Sequence, residues 1–111
     1  MKDYWLVIDY ERMTVEICFC NRMMYNINAC LATLNGWQQE QMLQRLLEVK
    51  VDTPPFTLAY EYFTMEVDPY NIMCDFHMFE EPIRFYLYTD IFTEALGEYL
   101  EEIKKLRQHK K

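Results

Sequence analysis

The chain has 111 residues and a formal net charge of −7, and it is 51% hydrophobic and 16% aromatic. This length is that of one domain, and the aromatic content excludes intrinsic disorder. Serine is absent and glycine occurs only at Gly36 and Gly97, which excludes a Ser-His-Asp triad and glycine-rich phosphate-binding loops. The acidic balance also argues against nucleic-acid binding, because such a surface must neutralise phosphates.

The sequence carries no apolar run of the ~20 residues that a membrane span needs, and its acidic start is unlike a secretion signal. We therefore expect a cytoplasmic protein with no membrane partner. In that compartment Cys18, Cys20, Cys30 and Cys74 are expected to be reduced thiols. Cys18, Cys20 and Cys74 would make an acceptable zinc set with His77. However, Cys74 and His77 are three apart in a predicted strand and point to opposite faces, so we expect no metal.

Two runs near the start predict a β-hairpin. Residues 4–10 are rich in strand-favouring side chains. Residues 14–20 alternate, with Val15, Ile17 and Phe19 on one face. The polar residues between the two runs favour a turn.

The segment 21–50 changes to helical spacing, with apolar side chains three or four residues apart. Asn35-Gly36 interrupts this spacing, and Gln38 completes a capping-box pattern with Asn35. We therefore expect either one kinked helix or two helices. The second half carries a predicted apolar stripe of Trp37, Met42, Leu43, Leu46, Leu47 and Val49.

Three further strands are predicted after Pro54 and Pro55, which end helical structure. The first, 56–67, changes phase near Tyr62 and Phe63, which indicates a bulge. The second is 72–79 and the third is 83–88, separated by the turn signal Glu80-Glu81-Pro82. The side chains predicted to face inwards from these two strands are Ile72, Cys74, Phe76, Met78, Ile83, Phe85 and Leu87.

A terminal helix is predicted from Thr89 or Asp90, with acids early and bases late, as the helix dipole favours. The resulting order is β-β-α-(α)-β-β-β-α. It predicts an α+β fold, an antiparallel meander of about five strands with helices packed on one face. No linker or repeat divides the chain, so we expect residues 1–111 to form a single domain.

The charge is unevenly distributed along the chain. Residues 1–50 hold six acids and five bases, whereas residues 51–103 hold twelve acids against Arg84 alone, and the last eight residues hold five bases. Charge runs of this kind are typical of a solvated face. The alternative interpretation is a negative field that steers a basic partner onto the protein.

The strand face opposite the predicted core is the candidate interface. Its outward positions mix tyrosine, methionine and acids, and aromatic residues and methionine are enriched at protein interfaces. Tyrosine is also simply a good strand former, which is the competing explanation. The predicted partner-binding residues are Glu61, Asp75, His77, Tyr86 and Tyr88, with Glu66 and Asp68 at the rim.

Asp75, His77 and Arg84 also raise a catalytic hypothesis, because a carboxylate two residues away on a strand can tune an imidazole. A general base needs a pocket as well, and a flat meander offers little concavity. We therefore predict no catalytic residue, no enzyme activity and no cofactor.

Size, acidity and reduced cysteines favour a protein inhibitor. The leading hypothesis is an immunity protein or antitoxin of bacterial competition, which would neutralise a basic nuclease-type toxin by covering its active site or substrate groove. A phage-encoded inhibitor, such as an anti-CRISPR protein or nucleic-acid mimic, would have the same features. Two other classes stay open: a homo-oligomeric structural or adaptor domain, including a homodimer, and a small-ligand-binding domain.

Overall fold

A computed structural model describes residues 3–109 of the chain. The described residues form six strands and three α-helices, and the class is α+β, as predicted. A 3-10 helix, Arg22–Asn26, precedes the first α-helix. The elements are β1 (Tyr4–Asp9), β2 (Thr14–Phe19), α1 (Ile27–Ala32), α2 (Gly36–Leu47), β3 (Phe56–Ala59), β4 (Phe63–Val67), β5 (Asn71–Phe76), β6 (Ile83–Tyr88) and α3 (Thr89–His109).

The predicted hairpin is confirmed, and it forms a two-stranded sheet of its own. β1 pairs antiparallel with β2, with Leu6 opposite Ile17. Asp9 builds the turn, since its Oδ1 accepts hydrogen bonds from the backbone N–H groups of Glu11 and Arg12, both at 3.0 Å. Local bonding of this kind is the reason that aspartate favours turns.

The outer edge of β2 is closed by a side chain from α1. Asn28 Oδ1 accepts from the backbone N–H of Ile17 at 2.8 Å, and Asn28 Nδ2 donates to the carbonyl of Ile17, also at 2.8 Å. The same Nδ2 donates to the carbonyl of Tyr25 at 3.1 Å. The amide of Asn28 therefore bonds Ile17 as a neighbouring strand would.

The second sheet is an antiparallel meander in the order β3-β4-β5-β6. The prediction of one bulged strand over 56–67 is wrong, because the chain reverses there and β3 pairs with β4. The reversal is closed by the N–H of Tyr60, which donates to the carbonyl of Phe63 at 2.9 Å. The structure therefore has six strands in two sheets rather than about five strands in one meander.

The helical segment is divided, and the predicted capping box at Asn35 is confirmed. Asn35 accepts from the N–H of Gln38 at 2.8 Å, and Gln38 Oε1 accepts from the N–H of Asn35 at 3.0 Å. The predicted apolar stripe of α2 is only partly buried. Met42 and Leu46 lie in the core, but Trp37 and Leu47 are exposed.

α3 packs against the hairpin, against β6 and against α2. Its buried side chains include Phe92, Leu96 and Tyr99, which join the inward-facing residues of both sheets in one core. The hydroxyl of Tyr4 donates to Glu98, so the first strand is tied to the last helix.

Most of the predicted core side chains of β5 and β6 are buried, but Ile83 is only partly buried and Met78 is exposed. β5 ends at Phe76 rather than at residue 79, and Met78 lies exposed in the loop that follows. No helix within residues 3–109 is both long enough and apolar enough to cross a membrane. Lys110 and Lys111, two of the five bases in the last eight residues, lie outside the described part of the chain.

Candidate partner-binding face

The four-stranded sheet has an outer face that points away from the core. On β5, Ile72, Cys74 and Phe76 are buried, whereas the alternate side chains point the other way. The register brings these outward positions together across the strands, in rows that include Thr57, Glu66, Met73 and Tyr86. We call this surface the outer face, and its residues are Thr57, Thr64, Glu66, Met73, Asp75, Arg84, Tyr86 and Tyr88.

The two tyrosines of β6 dominate one side of the outer face. Tyr86 is 55% exposed and Tyr88 is 53% exposed. Tyr86 lies opposite Met73 on β5, so an aromatic ring and a flexible thioether are neighbours on this surface. Exposed tyrosine beside methionine provides apolar contact area together with a hydroxyl that can hydrogen-bond, a combination typical of interface hot spots.

Asp75 and Arg84 form an ion pair across β5 and β6. Arg84 Nε donates to Asp75 Oδ1 at 2.7 Å, and Arg84 Nη2 donates to Asp75 Oδ2 at 3.1 Å. The hydrogen bond to Asp75 raises the pKa of the Arg84 guanidinium above its usual value. This paired geometry neutralises the charge of Asp75 and leaves Glu66 as the acid of the outer face that forms no ion pair within residues 3–109.

The outer face meets an acidic end where two connections lie side by side. The turn after β3 and the loop after β5 leave the sheet at the same end, and the N–H of His77 donates to the carbonyl of Tyr62 at 2.9 Å. The ring of Phe79 is 58% exposed and contacts Phe76, with 5.6 Å between ring centroids. We define the acidic end as Glu61, His77, Met78, Phe79, Glu80 and Glu81, all exposed.

The predicted site residues are therefore only partly brought together. Asp75, Glu66, Tyr86 and Tyr88 share the outer face, and Glu61 and His77 lie at the acidic end. Their arrangement is that of a broad surface rather than of a closed pocket.

Asp68 lies at the opposite end of the sheet and has a local structural role. Its Oδ1 accepts from the N–H groups of Tyr70 and Asn71, both at 2.7 Å. These two hydrogen bonds hold the pKa of the Asp68 carboxyl below its usual value. The geometry assigns Asp68 to the turn between β4 and β5.

The catalytic interpretation of Asp75 and His77 gains no geometric support. Both carboxylate oxygens of Asp75 accept from Arg84, and within residues 3–109 no hydrogen bond joins Asp75 to the imidazole of His77. The hydrogen-bond partners recorded for Asp75 are those of a surface ion pair.

The thiols of the hypothetical zinc set do not converge. Cys18 and Cys74 are buried and Cys20 is exposed, and all of them are free. Burial raises the pKa of the Cys74 thiol. His77 is exposed beyond the end of β5. In the part of the chain that was described, no three His, Cys, Asp or Glu residues form a group that could hold a metal ion.

Two features of this site were missed by the sequence reasoning. Phe79 was expected within a strand. Arg84 was considered with Asp75 and His77 as a catalytic group, but not as the ion-pair partner of Asp75. The turn signal Glu80-Glu81-Pro82 already indicated that an exposed loop begins nearby. The pairing of Arg84 needed the strand register, which the sequence alone does not provide.

Comparison with known proteins adds no assignment. No protein-family model matches the chain, and no match is found among curated proteins or solved structures. The function must therefore be argued from the geometry and chemistry of the chain.

Proposed function

We propose that this protein is an acidic inhibitor that binds a basic protein partner and covers its functional surface. The partner class that fits is a nuclease-type toxin, whose phosphate-binding groove is basic, and the inhibitor would then be an immunity protein or antitoxin. The proposal places the protein in the cytoplasm, where free thiols such as those of Cys20 and Cys30 persist.

The observation that carries the proposal is the uncovered outer face. Tyr86 and Tyr88 are more than half exposed on the larger of the two sheets. A rigid sheet presents its side chains with little loss of conformational freedom on binding, and tyrosine adds large contact area with few rotatable bonds. The outer face therefore supplies the contacts that would give affinity.

The charges beside this face support a basic partner. Glu61, Glu80 and Glu81 lie at the acidic end, and Glu66 lies on the face itself. The one base of the outer face, Arg84, is neutralised by Asp75. A basic partner would be steered to this side at long range, and its rate of association would fall as salt screens the field.

The shape of the acidic end suggests how the inhibitor would act. Met78 and Phe79 project from the loop between β5 and β6, flanked by glutamates. In the proposed complex these apolar side chains enter a groove of the toxin while the glutamates occupy its phosphate-binding positions. Occlusion requires no chemistry from the inhibitor itself.

The experiment is capture of the partner from the source organism, followed by a test of inhibition. Tagged wild-type protein is compared with Tyr86→Ala/Tyr88→Ala and with the control Tyr70→Ala, which removes an exposed tyrosine from the far turn. We expect wild type and control to capture one basic protein at equal stoichiometry, less strongly at high salt. The double variant should lose most of this capture.

The captured partner is then assayed for nuclease activity with increasing inhibitor. The proposal predicts that activity falls to zero at one equivalent. A partner that stays fully active in the complex would refute inhibition, and equal capture by the tyrosine double variant would refute the outer face as the interface.

A homodimer through the same face is the second candidate. The observation that favours it is the low net charge of the outer face, where Glu66 and the neutralised pair of Asp75 and Arg84 are the charged groups. Two copies could then meet without strong repulsion. Sedimentation at rising concentration distinguishes the candidates, because a dimer that Tyr86→Ala/Tyr88→Ala abolishes would support the structural role.

A further inference from the structure

A second surface lies on the hairpin, at the edge of β1 that β2 does not cover. β1 pairs with β2 alone in its sheet. Residues Tyr4, Trp5 and Leu6 line a groove of about 660 Å³. Because consecutive side chains of a strand point to opposite faces, a groove that three consecutive residues line runs along the edge of the strand.

The hydrogen bonds of Asn28 show which backbone groups of β1 point to this open edge. Asn28 bonds the N–H and carbonyl of Ile17 on the outer edge of β2, so these groups point away from β1. In an antiparallel pair, opposite residues either exchange both hydrogen bonds or neither. Leu6, which is opposite Ile17, therefore points its own N–H and carbonyl to the open edge, and Ile8 does the same two residues later.

These groups have no partner within the described part of the chain. No hydrogen bond outside the β1–β2 ladder is recorded for the backbone of Leu6 or Ile8 between residues 3 and 109. An open edge is a template on which another extended chain can add as a strand. Two other sheet edges differ in this respect, since Asn28 bonds the edge of β2 and the 3-10 helix packs beside β6.

The opposite wall of the groove is the acidic side of α3. It is formed by Glu94, Glu98, Glu101 and Glu102, with Lys105 as the single base. Lys105 is paired with Glu102 at 3.3 Å, and Glu98 accepts from the hydroxyl of Tyr4. Glu94 and Glu101 are exposed, and Glu101 lies 4.0 Å from Lys104, which is also 3.5 Å from Glu40. The four glutamates of the wall outnumber these two lysines, so the wall keeps a negative charge towards the groove.

We propose that this groove binds an extended basic segment of a partner protein, which adds to the open edge of β1 as a third strand. Alternate side chains of the added strand face α3, where Lys or Arg meets Glu94 and Glu101. The remaining side chains lie beside Trp5 and Val7, which are exposed on the outer side of the hairpin, and apolar residues fit there. The occupant is thus an alternating basic and apolar segment.

The same charges argue against a second copy of this chain as the occupant. Pairing of β1 with β1 would bring two acidic walls of α3 towards each other, and like charges across an interface oppose association. The proposed groove is a different surface from the outer face, and its test does not depend on the inhibitor proposal.

The first test uses a capped seven-residue peptide of alternating lysine and valine. Trp37→Phe removes the exposed tryptophan of α2, so that Trp5, 52% exposed, is the remaining tryptophan. We expect saturable binding that changes Trp5 fluorescence and weakens with salt. Two methylated peptides are compared, one with N-methyl groups on the lysines and one with them on the valines. Successive N–H groups of a strand point to opposite edges, so the peptide whose methyl groups face β1 should bind at least tenfold more weakly. The other peptide keeps its donors to β1 and should bind much more like the unmodified peptide.

The second test separates strand addition from simple charge attraction. Hydrogen exchange is followed at Leu6 and Ile8, whose amides point to the open edge, and at Trp5 and Val7, whose amides bond β2. The peptide should slow exchange at Leu6 and Ile8 and leave Trp5 and Val7 unchanged. Peptide binding without protection of Leu6 and Ile8 would overturn the proposal.

Matched charge variants complete the design. Glu94→Gln/Glu101→Gln removes two charges from the groove, and Glu80→Gln/Glu81→Gln removes two from the acidic end. The groove variant should weaken peptide binding roughly fivefold to tenfold, as two partly exposed ion pairs allow, and the control should change it less than twofold. Equal effects of the two variants would overturn the proposal. Protection of Leu6 and Ile8 at high protein concentration without peptide would also overturn it, because a second copy of the chain would then be the occupant.

Discussion

Replacement of Asn28 by alanine tests how much the closed edge of β2 contributes to stability. The side chain makes two hydrogen bonds of 2.8 Å to Ile17 and one of 3.1 Å to the carbonyl of Tyr25. A typical hydrogen bond contributes about 0.5–1.5 kcal/mol net. Water can replace part of this bonding, because Asn28 is only half-buried. We therefore expect a loss of about 2 kcal/mol in the free energy of unfolding, or a Tm lower by roughly 8 °C.

The assay is urea unfolding followed by circular dichroism, with Asn26→Ala as the matched control. Asn26 lies on the same segment and makes one side-chain hydrogen bond, from its Nδ2 to the carbonyl of Met23 at 2.9 Å. Both variants exchange asparagine for alanine, so differences in helix propensity largely cancel. A loss in Asn28→Ala below about 0.5 kcal/mol, or one no larger than in the control, would refute the reasoning from individual hydrogen bonds.

Three further predictions concern the cap, the thiols and one turn. Asn35→Ala should lower stability by about 1 kcal/mol, measured by urea unfolding, because it removes the N-cap bond of α2. A thiol reagent at pH 8 should label Cys20 in the folded protein and reach Cys30 and Cys74 only on unfolding, measured by peptide mass spectrometry. The reason is that Cys30 and Cys74 are buried, and burial raises the pKa of Cys30 to about 12. The pKa of Asp68 is lowered by folding, so its contribution to stability is present above about pH 4 and is lost as the pH falls further; Asp68→Asn should flatten that acid limb of the stability curve.

Each of these has a result that would count against it. A cap variant as stable as wild type would mean that water replaces the lost bond. Labelling of Cys74 at the rate of Cys20 would mean that the core opens without global unfolding. An acid limb unchanged in Asp68→Asn would assign the pH dependence to other carboxyls.

Local patterns were sufficient to predict several elements. The hairpin follows from alternation in two adjacent runs, and the start of α2 follows from Asn35 and Gln38, whose reciprocal bonds involve residues three apart. The inward and outward sides of β5 and β6 were also predicted, because a strand with alternating polarity fixes its own faces once one side is buried.

The reversal between β3 and β4 had no local signal. Its residues are Tyr60, Glu61 and Tyr62, none of which is typical of a turn, and the aromatic content resembles that of a strand. The reversal is stabilised by the backbone bond from Tyr60 to Phe63 and by the stacking of their rings, with centroids 4.8 Å apart. These contacts exist only in the folded chain, so the phase shift was interpreted as a bulge.

The features of the candidate site that depend on alternation along one strand were predicted. The features that depend on pairing between strands were missed. Tyr86 and Tyr88 were placed outwards by alternation alone. The neutralisation of Asp75 by Arg84 depends on the register of β5 and β6, and the turn role of Asp68 depends on where β4 ends. Register and strand ends are set by long-range packing, which a single sequence does not specify.

The contacts of α3 have a consequence for the order in which the chain can fold during synthesis. The hairpin leaves the ribosome before α3, the helix that covers its inner face and that begins only at Thr89. The bond from Tyr4 to Glu98 joins residues 94 positions apart. A two-stranded hairpin alone is marginally stable in water. The apolar side of the nascent hairpin therefore stays uncovered until α3 has been synthesised. Truncation within α3 is therefore expected to destabilise β1 and β2 first, although these strands are far from α3 in the sequence.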